Sequence, residues 1–298
     1  MKPQKLMKIG PYDCYSLISG YFKLDGGAMF GNVPKVLWEK HHRADEKNRI
    51  QMLTRNLLLK SEDENILVDV GNGGDFIDKY GPKLGSKFAE IFSIEKEFPS
   101  LEMQLEQLDL KPDDITDVIL THLHFDHAGG AVKFNPNTGK LEPSFPNASY
   151  VVQKENFEHA SNPNIREKAS YLSQNFFPLM EAGVLTLLSE TSSYKPHIEF
   201  ILSHGHTEGQ QNVKISDGKQ TLFYCADVIP LKAHLQPAWT MSYDINPILV
   251  IDEKIEILLK ASKENWMLIF EHDPLCIGAQ VQFEDGDKKP TIVNEIAQ

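Results

Sequence analysis

Thr121-His122-Leu123-His124-Phe125-Asp126-His127-Ala128-Gly129-Gly130 follows without a break on Asp117-Val118-Ile119-Leu120, a short apolar run suited to a buried strand. Four side chains able to ligate a metal, His122, His124, Asp126 and His127, are packed into this one stretch. His122, His124 and Asp126 alternate, so an extended segment would project all three to one side, whereas a helix would turn His124 away from the other two. The stretch is therefore expected as a strand end or loop. His127 is out of step, which suits a second cation better than a fourth ligand on the first. Gly129-Gly130 is expected to let the backbone turn sharply behind the site. Imidazole and carboxylate donors without thiolate suit a hydrolytic Zn²⁺, Mn²⁺ or Fe site rather than a structural cysteine–zinc knot. A solvated loop would explain any one of these histidines, but not four potential ligands packed behind a buried strand.

Outward from this stretch, strands come first and then alternate with helices. Arg55-Asn56-Leu57-Leu58-Leu59 and Ile66-Leu67-Val68-Asp69-Val70 flank the polar turn Ser61-Glu62-Asp63-Glu64, which predicts a hairpin. Leucines at 101, 105 and 108 recur at helical spacing from Ser100 to Leu110, with Ser100 placed to cap. Tyr150-Val151-Val152, Thr221-Leu222-Phe223-Tyr224 and Trp266-Met267-Leu268-Ile269-Phe270 read as further buried strands. Asn246-Pro247 opens a helix expected to reach about Lys263, with Asn as N-cap and Pro at the first helical position. The chain is thus α/β, with histidine-bearing segments directly after buried strands. No repeat, low-complexity tract or long Pro/Gly/Ser linker interrupts it. One domain over 1–298 is expected, with 1–54 as an N-terminal segment over the pocket.

Composition narrows the class. With 298 residues, 41% of them hydrophobic, the chain can bury a sizeable core and is neither collagenous nor disordered. Thirty basic against 42 acidic side chains give −12, a surface that repels nucleic-acid backbones and anionic lipid. Cys14, Cys225 and Cys276 are far apart and odd in number, which fits a reducing, cytoplasmic setting. No stretch of about 18 apolar residues suggests a membrane span.

His122-x-His124-x-Asp126-His127 closely resembles the HxHxDH signature of the metallo-β-lactamase superfamily of dinuclear metallohydrolases. Ile66-Leu67-Val68-Asp69-Val70-Gly71 is similar to that family's early strand, ending in an Asp that supports the site from behind. Ser203-His204-Gly205-His206-Thr207-Glu208-Gly209 resembles its GHTxG segment. Tyr224-Cys225-Ala226-Asp227 resembles the strand ending in a bridging Asp, and Phe270-Glu271-His272-Asp273 the closing His segment. The resemblance implies a four-layer αβ/βα sandwich holding two divalent ions, Zn²⁺ first, with Mn²⁺ or Fe as alternatives. It implies His122, His124 and His206 on one ion, Asp126, His127 and His272 on the other, and Asp227 shared. Asp126 would also orient the nucleophile and relay its proton. His124, where the oxygen-reducing flavodiiron branch carries Glu, favours hydrolysis.

Among the other histidines, His41 and His42 lie among charged residues and are expected to be solvated; His159 and His197 are expected at the surface. His204 is read as packing beside His206, and Cys225 as a small buried residue. Residues 21–38, Tyr21 to Trp38, resemble the opening segment of quorum-quenching lactonases and the methyl-parathion-hydrolase-like branch. Met29, Phe30 and Trp38 there would offer an apolar wall to an acyl chain. Acyl-homoserine lactonases commonly place a substrate-binding Tyr three residues after the bridging Asp, where this chain has Pro230. His234 and Tyr243 are the candidates for that role. The expected function is hydrolysis of a small-molecule lactone or carboxyl ester, such as an N-acyl-homoserine lactone, by a metal-bridging hydroxide, in a protein that could form a homodimer. The alternatives are a phosphotriester or phosphodiester hydrolase on the same site and, further off, a metal-bound sensor without turnover. A glutathione-thioester hydrolase is weaker, because no basic C-terminal cluster is present to hold that substrate's carboxylates.

Overall fold

The computed structural model describes residues 2–94, 100–189, 193–284, 286 and 288–298. The chain divides into two compact units, one formed by residues 1–22 with 54–190 and the other by 23–53 with 191–298.

The first unit is built on a seven-stranded sheet in the order Gln4–Ile9, Tyr12–Asp25, Arg49–Lys60, Asn65–Val68, Asp117–Ile119, Ser149–Gln153, Leu185–Leu188. The strands Tyr12–Asp25 and Arg49–Lys60 carry the chain across the unit boundaries. The expected hairpin is present, with Leu57 opposite Val68 and Leu59 opposite Ile66. From Asn65–Val68 onward the pairs are parallel, Val68 lying against Ile119 and Ile119 against Val151. Parallel strands need crossovers and are buried on their faces, which is why these runs are almost wholly apolar. The helices Phe76–Tyr80, Pro82–Phe92 and Leu101–Glu106 lie in the connection between the strands Asn65–Val68 and Asp117–Ile119. Ser100 caps the last of these by accepting from the Met103 amide. That helix stops before Leu108, because Asp109 takes a left-handed conformation (φ 57°) and the Leu105 carbonyl accepts from both Leu108 and Leu110. Leu67, Val118, Leu120, Leu123, Tyr150 and Phe176 form the centre of this unit's core.

The second unit carries another seven-stranded sheet, ordered Ser193–Lys195, Ile198–Ser203, Gln210–Ser216, Thr221–Tyr224, Met267–Ile269, Cys276–Gln282, Thr291–Ala297. Its one parallel pair sets Tyr224 beside Ile269, joined through the helix Pro247–Glu264. Asn246 caps that helix as expected, accepting from the Leu249 amide at 3.2 Å, and Asn265 (φ 56°) ends it one residue past the expected limit. Its inner face buries Val250, Ile257, Leu258 and Ala261, the three larger side chains each stabilising by about 1.5–3 kcal/mol. No helix among the described residues is long and apolar enough to cross a membrane.

In both sheets several chemistry-bearing residues sit just beyond the carboxyl ends of parallel strands, where open α/β sheets place ligands. Asp69 follows Val68 and Thr121 follows Ile119; Asp227 follows Tyr224 and His272 follows Ile269. Two of these strand ends are strained. Asp69 (φ 53°) and Ala226 (φ 42°) hold left-handed backbone that costs a non-glycine residue free energy and is concentrated at functional positions.

Candidate metal centre

In the first unit the chain is extended through His124 and then closes one helical turn, Phe125–Ala128. The expected alternation thus holds for His122 and His124 and ends there, so that Asp126 and His127 ride on the turn. Asp69 organises the stretch from behind. Its Oδ1 accepts from the Thr121 amide at 2.7 Å and its Oδ2 from the Thr121 hydroxyl at 2.7 Å, while His127 Nδ1 lies 3.0 Å from Oδ2. The Asn156 side chain takes the Leu123 amide at 3.0 Å, and the Ser170 carbonyl takes that of Phe125 at 3.0 Å. His122 Nε2 and His124 Nδ1 face each other at 3.0 Å, with His122 Nδ1 3.1 Å from the Thr121 hydroxyl. All four candidate ligands are buried. Gly129 and Gly130 act differently from expectation. Neither takes a positive φ; a Cβ on Gly130 would collide with the Val70 carbonyl oxygen and one on Gly129 with that of Asn72. They permit close backbone approach rather than a sharp turn.

In the second unit Asp227 lies between two imidazoles. Its Oδ2 is 3.1 Å from His206 Nε2 and its Oδ1 3.2 Å from His272 Nε2. The opposite nitrogen of each ring is held: His206 Nδ1 by Asp244 Oδ1 at 2.9 Å, and His272 Nδ1 by the Leu53 carbonyl at 2.9 Å. Asp244 is fixed in turn by the Met241 amide at 2.8 Å. Burial alone would lower the His206 pKa, but Asp227 and Asp244 overcome it and raise the pKa to about 10, the mark of a site shaped for positive charge.

The donor set fits a divalent cation in both units. His206, His272 and His127 each have Nδ1 engaged by an oxygen, which sets the tautomer and leaves Nε2 for a metal. His122 follows the same pattern and His124 the reverse, with Nδ1 turned inward. Asp69 was legible in the sequence; Asp244 and the Leu53 carbonyl were not, since no local pattern marks a group that arrives from a distant segment.

His234 is buried, with Nε2 donating to the Met29 carbonyl at 2.8 Å and its ring stacked on Phe30 at 4.9 Å. Burial, helped by the Lys254 charge, lowers its pKa to about 3, so it is a neutral strut under the Met29-Phe30 segment. Met29, Phe30 and Trp38 are themselves buried, Phe30 stacking on Trp38 at 5.3 Å, so they fill core rather than present an open wall. Tyr243 is half-buried in the segment that leads to Asp244. A histidine whose folded pKa lies below its unfolded value near 6.5 contributes stability above pH 6.5 and loses it as the pH falls toward 3. The loss is up to about 1.4 kcal/mol per pH unit. His234→Phe keeps the ring and removes the titration, so its unfolding free energy should fall less steeply between pH 6.5 and 3.5 than that of the parent; equal slopes would exonerate His234.

Two other histidines depart from expectation. His42 is buried, with Nε2 4.0 Å from Asp273, and His159 is only 18% exposed and paired with buried Glu167 at 2.6 Å. His41 and His197 are exposed as expected. His204 accepts from the Gly209 amide at 3.3 Å and lies 3.4 Å from Glu208, closing its own loop. Cys225 is buried with its thiol pKa pushed up by desolvation, which does not favour a thiolate ligand.

The metallo-beta-lactamase superfamily profile matches residues 54–272. An N-acyl homoserine lactonase of Bacillus cereus is 27% identical over 167 residues, which span 55% of this chain and 59% of that protein. Among solved structures, a probable metal-dependent hydrolase from Staphylococcus aureus is 31% identical, with a TM-score of 0.84 and coverage of 98% of this chain and 99% of that one. AidC, a dizinc quorum-quenching lactonase in complex with a product N-hexanoyl-L-homoserine, has a TM-score of 0.77 at 22% identity, over 99% and 98% of the two chains. The α/β fold class expected from the sequence is the one these likenesses share.

Proposed function

Since the chain belongs to the metallo-beta-lactamase superfamily and its relatives are metal-dependent hydrolases, we propose that it opens a lactone or carboxyl ester at a dinuclear site. The residues that would hold the cations are His122, His124 and His206 for one, Asp126, His127 and His272 for the other, with Asp227 shared. The observation that carries this reading is the Asp227 carboxylate, which offers one oxygen toward each of two histidines whose far nitrogens are already occupied.

When bound, two divalent cations, zinc foremost, would supply Lewis-acid polarisation of the carbonyl and lower the pKa of water from 15.7 toward about 7. Asp126 holds the proton released from the nucleophilic water and delivers it to the leaving alkoxide oxygen, so that lactone and water become a hydroxy acid. Asp69, Asp244 and the Leu53 carbonyl keep the imidazoles oriented throughout. Phe125 stands between His124 and Asp126, with Phe88 at 4.8 Å and Phe92 at 4.7 Å. Phe88 and Phe125 are buried, so this aromatic group packs beside the ligands as core. The buried, unbridged cysteines support a reducing compartment.

Pro230 leaves the carbonyl without the tyrosine partner usual in acyl-homoserine lactonases, so phosphotriesters are the second reading. Turnover of a lactone series is measured beside paraoxon-type esters, with and without chelator. Lactone opening should dominate, vanish with chelator and return with zinc. Faster paraoxon cleavage would favour the second reading, and bound metal with no turnover on either class would favour a sensor.

A further inference from the structure

Glu167 lies in the segment between the helix Lys154–Ser161 and the turn Ser173–Asn175, with nothing in its sequence context to mark it. It is a carboxylate with 3% exposure. Its Oε1 is 3.8 Å from His124 Nε2, and its Oε2 receives His159 Nε2 at 2.6 Å and the Asn164 amide nitrogen at 2.5 Å. The Asn164 carbonyl oxygen accepts from the backbone amides of Arg166 and Glu167, at 2.9 and 3.1 Å, so the loop presenting the carboxylate is itself shaped by a side chain. Tyr171 covers the His124 ring at 4.6 Å, and the Ser170 carbonyl fastens the same loop to Phe125.

Burying a carboxylate is expensive unless it is paired. His159 and Asn164 hold Glu167 Oε2, and Oε1 lies 3.8 Å from the outer nitrogen of His124, the candidate ligand whose inward nitrogen is Nδ1. We propose that Glu167 is a positioning residue for His124. It fixes that ring with Nδ1 toward the metal and strengthens it as a donor, and His159 and Asn164 hold Glu167 in place. The reason is general: a metal-bound imidazole donates its other N–H to an oxygen, and loss of that partner weakens metal binding about 10–100-fold. The inference rests on His124 being a ligand, as proposed above.

The test is zinc competition against a chromophoric chelator on the full-length metal-free protein, its Glu167→Gln variant and its His159→Ala variant, with thermal unfolding of each metal-free form. Glu167→Gln should bind zinc about 10–100-fold more weakly, unfold at nearly the parent temperature, and recover its rate at saturating zinc. His159→Ala, which leaves the carboxylate in place but loosely held, should weaken zinc binding by a smaller factor. Unchanged zinc affinity in Glu167→Gln would overturn the positioning role while leaving the metal reading intact. Should Glu167→Gln not fold, unchanged affinity in His159→Ala overturns the role. A parent protein that takes up no zinc would overturn both.

Discussion

His124→Ala and Asp227→Ala should each yield a folded protein that retains less metal than the parent and opens lactones no faster than the chelated enzyme. Both residues belong to the proposed ligand set, and a shared failure is the signature expected of joint ligation. Loss of the cations returns the nucleophilic water toward a pKa of 15.7, more than about eight orders of magnitude less ionised at a given pH than water on a paired metal site. Alanine at 227 also removes the carboxylate that lies 3.1 and 3.2 Å from two histidine nitrogens. Metal analysis and a pH-stat assay of lactone opening report both effects. Full activity in either variant removes that residue from the site. Protons compete with metal for the same nitrogens, so retention of metal should weaken as the solution is acidified.

Gly130→Ala should be nearly as damaging, by a different route. The Gly130 amide donates to the Gly71 carbonyl at 2.9 Å, and an added Cβ meets the Val70 carbonyl oxygen. Both partners are backbone beside Asp69, so no flexible side chain can yield. Overpacking of this kind costs about 1–3 kcal/mol and occasionally more, which corresponds to a melting temperature lower by roughly 5 °C in a chain of this size. The shift would also displace Asp126 and His127, since the Val70 amide donates to the His127 carbonyl at 2.9 Å. Gly74→Ala is the control. Nothing lies within 4 Å of its Cβ position, and it should melt and turn over like the parent. Parent-like melting and metal content in Gly130→Ala would contradict the close-approach argument.

The elements that were legible in the sequence are those whose cause is local. The hairpin through Ser61–Glu64, the caps at Ser100 and Asn246 and the buried runs before Thr121, Cys225 and Glu271 depend on residues within a few positions of one another. The ligand motifs were legible for the same reason, each being a short cluster at a strand end. What escaped is long-range. Asp244 reaches His206 across 38 positions and the Leu53 carbonyl reaches His272 across 219. Met29, Phe30 and Trp38 read as an acyl-binding wall because apolar residues near glycines suit either a pocket or a core. Stacking of Phe30 on both Trp38 and His234 decides for core. The reach of the one-turn helix at Phe125 was invisible because four residues leave no period to detect.

The proposed function stands on a single ligand set that holds a pair of cations. Anomalous diffraction at the zinc edge from crystals of the zinc-loaded protein tests it most directly. Two peaks about 3.5–4 Å apart are expected, with His122, His124 and His206 around one, Asp126, His127 and His272 around the other, and Asp227 touching both. A lone peak, or two peaks that lack any of these residues as neighbours, would overturn it.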